Sequence, residues 1–122
     1  EGFCEGGRGM KVLFLPEVSQ QFIDLVGILY DKGYMSFLDQ ALAYSESLFR
    51  EIQSSLPLKV HRKAPSWFNR FGKAMDYAVF PKNDHTTWYV FFNVYEIGGE
   101  SVYLVRYMSN NHVIAHHLEI ES

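Results

Sequence analysis

Apolar positions change their period along this chain, and each change marks an element. Lys11-Val12-Leu13-Phe14-Leu15 is a short apolar run bounded by Pro16, which suits a buried strand better than a helix of so few residues. Pro16 and Glu17 fit a helix's first turn, and Val18, Phe22, Leu25, Val26 and Leu29 then recur at spacings of three and four, predicting a helix to about Asp31. Gly33 is a natural stop, and Ser36 followed by Asp39 resembles a capping box with Asp in place of Glu. Leu38, Ala41, Leu42, Ser45, Leu48, Phe49, Ile52 and Leu56 mark the buried face of a second helix, which Pro57 ends. The short connection predicts that the two helices pack as an antiparallel hairpin.

Beyond Lys73 the period becomes two. Met75, Tyr77 and Val79 alternate as one strand, and Asn83-Asp84 is a turn; Trp88, Val90, Phe92 and Val94 alternate as the next strand, and Gly98-Gly99 turns the chain again. In the strand that follows, alternation places Val102, Leu104, Arg106 and Met108 on one face and Tyr103, Val105 and Tyr107 on the other. Ser109-Asn110-Asn111 breaks this strand, and the segment from His112 to Leu118 reads as either a short helix or a short strand. The order β-α-α-β-β-β, with helices segregated from a mostly antiparallel sheet, predicts a two-layer α+β domain over residues 10–122.

A length of 122 residues suits one domain with its own core, and the single Cys4 has no partner for an internal disulfide. Residues 1–9 hold four glycines and no apolar period, which predicts a disordered tail. Glu, Gly and Arg all have purine-rich codons, so Glu5 to Gly9 would also fit a translated ribosome-binding region. No apolar run reaches the roughly 18 residues of a membrane span, and a signal peptide's basic-then-apolar order is missing at the start, so the expectation is a mature, cytoplasmic chain that makes no membrane contact.

The formal charge of −3 is unevenly spread. Residues 17–56 hold six acids against Lys32 and Arg50, whereas Lys59, Arg62, Lys63, Arg70 and Lys73 follow within a stretch that has no acid. Local positive potential of this kind suits phosphates, through Arg62, Lys63, Arg70 and Lys73 in particular, and a solvated loop pinned by Trp67 and Phe68 is the plainer reading. The strand aromatics would stack on unpaired bases if they faced solvent, although aromatics are also ordinary core fillers. Arg106 stands between Leu104 and Met108, where an unpaired guanidinium is costly; it is expected to meet either a carboxylate such as Asp76 or a phosphate. His112, just beyond it, is the best histidine for acid or base work on an RNA 2′-hydroxyl. His112 and His116 would share a helical face, yet two imidazoles without a third ligand are a weak zinc signal, so no metal or other cofactor is expected. Gly-rich phosphate loops and hydrolase elbows are missing, which leaves nucleotide-triphosphate chemistry and triad chemistry unsupported.

From Met10 to Leu118 the chain resembles the RelE/ParE toxin superfamily of type II toxin-antitoxin systems. The resemblance rests on Met10-Lys11-Val12-Leu13-Phe14-Leu15-Pro16-Glu17 leading into two helices, on Thr86 to Phe92, and on Tyr103-Leu104-Val105-Arg106-Tyr107-Met108-Ser109-Asn110-Asn111-His112. It implies a helical hairpin on a curved sheet and a bacterial, metal-independent endoribonuclease acting on ribosome-bound messenger RNA. It further implies Arg106 and His112 as catalytic residues, and RNA contacts at Lys59, Arg62, Lys63, Arg70 and Lys73. Lys63 and Lys73 match the family's basic residues only loosely. A cognate antitoxin is the implied partner. The superfamily also holds gyrase inhibitors and inert members, so a non-enzymatic binder of DNA gyrase or of an antitoxin is the alternative. Active ribosome-dependent members are strongly basic, and this chain is not.

Overall fold

A computed structural model describes residues 9–33 and 35–112. The elements run β1 (Met10–Phe14), α1 (Pro16–Asp31), α2 (Leu38–Ser55), β2 (Arg62–Lys63), β3 (Asp76–Pro81), β4 (Thr87–Ile97) and β5 (Glu100–Asn110), with short 3₁₀ turns at Leu56–Leu58 and Ser66–Arg70. This is the α+β order that the periodicity predicts, extended by the two-residue β2 at the sheet edge. Two residues are too few to show alternation, so β2 leaves no periodic trace in the sequence.

The sheet order is β1-β5-β4-β3-β2. β1 is parallel to β5, and the other neighbours are antiparallel. Gly98 and Gly99 both take positive φ, 60° and 82°, as the two-residue turn between β4 and β5 requires. Asn83 organises the preceding turn: its side-chain oxygen accepts bonds from the backbone N–H of His85 and of Thr86.

The helical hairpin covers one face of the sheet. Val18, Phe22, Leu25, Leu48, Ile52 and Leu56 pack there on Val12, Ala78, Phe80, Trp88, Val90, Phe92, Tyr103, Val105 and Met108. The buried Ser45 hydroxyl donates to the Phe22 carbonyl at 2.7 Å and ties the two helices together. Leu38 and Leu42 lie half exposed on the flank of α2 rather than in the buried stripe. The expected capping box does not form: α2 starts after Phe37, and no side chain caps it. In β3 it is Ala78 and Phe80 that face the helices, while Met75 and Tyr77 belong to a second cluster.

The opposite face carries that cluster, built on Phe68, Met75 and Phe91. Phe68 is fully buried and stacks on Phe91 with ring centroids 4.3 Å apart, and Phe71 stacks on Tyr107 at 3.8 Å. Trp67 packs edge-on against Phe68. The stretch expected to pin the basic loop therefore does so by laying aromatic rings on the sheet, and strand aromatics expected as possible base platforms are largely consumed in the two clusters.

The alternation read for the last strand is corrected by a β-bulge. Phe92 pairs with Val105 while the adjacent Phe91 pairs with Tyr107, so Arg106 has no cross-strand partner. The extra residue resets the alternation. Met108 thus joins Tyr103 and Val105 on the helix side, and Tyr107 joins Leu104 and Arg106 on the other.

Candidate functional site

The site is built on the sheet face away from the helices, where Arg106 stands with Leu104 and is left unpaired at the bulge. Its Nε donates to the Asn93 side-chain oxygen at 2.7 Å, and its Nη2 donates to the Tyr95 hydroxyl at 2.7 Å. Asn93 and Tyr95 are two apart on β4 and so share a face, and the β4–β5 register sets Asn93 opposite Leu104, diagonal to Arg106. Asn93 also donates to the carbonyls of Lys73 and Ala74 at 3.2 and 3.4 Å, which holds the loop before β3 beside the guanidinium. Gly72 in that loop has the arginine stem directly above it: a Cβ there would fall 2.5 Å from Arg106 Cδ.

Among the described residues Arg106 makes no ion pair. The expected partner Asp76 does not meet it, for a geometric reason. Asp76 stands opposite Phe92, on the helix side of the sheet, and its carboxylate binds Lys63 across the β2–β3 pair at 3.4 Å. The guanidinium is part buried and meets two neutral acceptors rather than a carboxylate among the described residues.

The basic stretch does not form one surface, because β2 splits it between the faces. Lys63 points with Asp76, and Lys59 lies 4.6 Å from the centre of the Phe80 ring, both on the helix side. Arg62 is set opposite Tyr77 and shares the face of the second cluster. Arg70 lies over the Trp67 ring at 4.1 Å with its Nε donating to the Trp67 carbonyl. Lys73 is exposed next to Asn93. Arg62, Arg70, Lys73 and Arg106 therefore gather on one face, and none of them makes an ion pair among the described residues.

His112 is not brought to Arg106. Its Nε2 lies 3.4 Å from the Thr86 hydroxyl at the β3–β4 turn, past the end of β5. Four strand residues, roughly 13 Å of chain, separate Arg106 from that strand end. His61 is committed to the core: its Nε2 lies 3.0 Å from the Leu56 carbonyl, and its ring packs edge-on against Phe92. His116 and His117, like Cys4 and the segment from 113 onward, lie outside the described residues. Among the described residues no group of three His, Cys, Asp or Glu side chains could hold a metal ion, and no helix is long and apolar enough to cross a membrane.

Asn93 and Tyr95 escape a reading that looks for charged or nucleophilic types. One signal was available, namely the polar Asn93 within the apolar and aromatic run from Trp88 to Tyr95, counted back from the Gly98-Gly99 turn. No protein-family model matches this chain, and neither a curated protein nor a solved structure matches it.

Proposed function

We propose that this chain is a RelE/ParE-like, toxin-like domain that grips RNA phosphates with the sheet face bearing Arg106, its target being messenger RNA on the ribosome in the cytoplasm. The observation that carries the reading is the separation of charge across the sheet. The two helices hold six acids against Arg50 alone, whereas four cations without ion pairs among the described residues lie on the other face of the sheet. A face of this kind neutralises a phosphate backbone and releases its counterions.

Binding has more support than cleavage. General acid–base work needs the proton donor or acceptor within hydrogen-bond reach of the reacting group, and His112 lies too far from Arg106 to serve the same phosphate. Under this reading a cognate antitoxin, encoded beside the chain, would shield the same face.

Expressing the protein alone in a bacterial host is expected to arrest growth and translation, and Arg106→Ala is expected to relieve the arrest. Mapping of messenger RNA ends in arrested cells separates cleavage from simple occupation. Normal growth together with no measurable RNA binding by the intact protein would sink the reading. A DNA supercoiling defect with intact RNA would instead favour the gyrase-directed alternative.

A further inference from the structure

We propose that Tyr95 and Asn93 make Arg106 a prearranged phosphate subsite, in which the Nη1–Nη2 edge takes two phosphate oxygens and the Tyr95 hydroxyl proton is an additional donor. The proposal rests on the RNA-binding reading above and names the residues that position its central cation.

A guanidinium has two forked edges. The side edge, Nε with Nη2, is filled by the Asn93 oxygen and the Tyr95 hydroxyl at 2.7 Å each. The end edge, Nη1 with Nη2, has no partner among the described residues, and its parallel N–H groups match two oxygens of a phosphate. Both groups on the filled edge are neutral, so they fix the plane of the guanidinium without cancelling its charge. The Tyr95 oxygen accepts from Arg106, so the hydroxyl proton must point away from Arg106, and no acceptor for it lies among the described residues. Asn93 extends the arrangement to the loop: its amide holds the carbonyls of Lys73 and Ala74 and so sets an exposed lysine beside the fork. Gly72 keeps the space over the arginine stem open. Holding the fork in advance lowers the ordering cost on binding.

The test follows the Arg106 Nε–H resonance of the intact protein by NMR while inorganic phosphate is added at constant ionic strength. The expected result is a saturable shift. Tyr95→Phe, which keeps the ring and removes one donor, should weaken phosphate binding about three- to tenfold, and Arg106→Lys should abolish it. Asn93→Asp retains the acceptor for Nε, gives up the amide's bonds to the Lys73 and Ala74 carbonyls and adds a negative charge beside the guanidinium, so phosphate binding is lost. Asn93→Leu loses the same loop contacts without adding a charge and should weaken phosphate binding less than Asn93→Asp; equal loss in the two variants would show that Asn93 only holds the loop and would overturn its part in the subsite. Absence of a saturable shift in the intact protein overturns the proposal, as does phosphate binding that both Tyr95→Phe and Asn93→Asp leave unchanged. A single-stranded oligoribonucleotide that displaces phosphate from Arg106 supports RNA as the source of the phosphate. Phosphate binding with the expected order of variants, but with no displacement by RNA, keeps the subsite and overturns the RNA reading.

Discussion

Tyr103 lies in the helix-facing core beside Phe92 and His61, and burial first, then the negative charge of Glu96, raises its hydroxyl pKa above the ordinary 10.0. The consequence for stability has a definite sign. The unfolded chain ionises this hydroxyl at the lower value, so the tyrosine's contribution is fully present below about pH 10 and is lost as pH rises through the higher folded value. Urea midpoints of the parent are therefore expected to fall as pH rises above about 10, and those of Tyr103→Phe to fall less. At the same scale Arg106 was recognisable from its type and its apolar neighbours alone, because an unpaired cation in such a setting demands an explanation. Its partners were not recognisable, since Asn93 and Tyr95 are unremarkable residues until a register brings them to it.

Among the elements, the helices and the β3–β4–β5 meander follow from local pattern, whereas β2 and the bulge in β5 do not. The bulge decides the site. With Arg106 inserted, Val105 faces the helices and Tyr107 faces away, matching Phe92 and Phe91 across the ladder. Removing Arg106 would leave Val105 and Tyr107 adjacent and alternating, still opposite the same partners. Deletion of Arg106 is accordingly expected to preserve the fold, at a cost of roughly 1–3 kcal/mol for the two lost hydrogen bonds, while phosphate affinity disappears. Guanidinium chloride unfolding and the phosphate titration check the two halves of this expectation; a deletion variant that fails to fold would show that the bulge supports the sheet rather than decorates it. Strict alternation could not reveal the bulge, because both Met108 and Tyr107 are compatible with either face of a two-sided core.

For the whole molecule, the net charge is a poor guide to what a ligand meets. Residues 9–112 carry ten acids and ten bases, so the formal −3 belongs to the two ends of the chain. Within the described part the helices carry six acids against Arg50, whereas Arg62, Arg70, Lys73 and Arg106 lie together on the other face of the sheet. Binding of a single-stranded oligoribonucleotide should show a slope of log K on log salt of about −3 if all four cations contact phosphates, and Lys73→Gln should reduce its magnitude by about 0.7. Asp31→Asn, on the far layer, should leave the slope unchanged. A slope near zero in the parent would show that net charge, not its distribution, governs this surface.

What the sequence determined by itself was the set of elements and their layers: periods of 3.6 and 2, prolines and glycines act locally, and they dictate α1, α2, the turns and the α+β class. The tertiary structure alone decided which side chains meet. The β2 pairing divides Lys63 from Arg62, the β3–β4 register sets Asp76 on the face opposite to Arg106, and the length of β5 separates His112 from Arg106. These depend on register and on an interrupted alternation between strands, which are non-local properties that no window of the sequence contains.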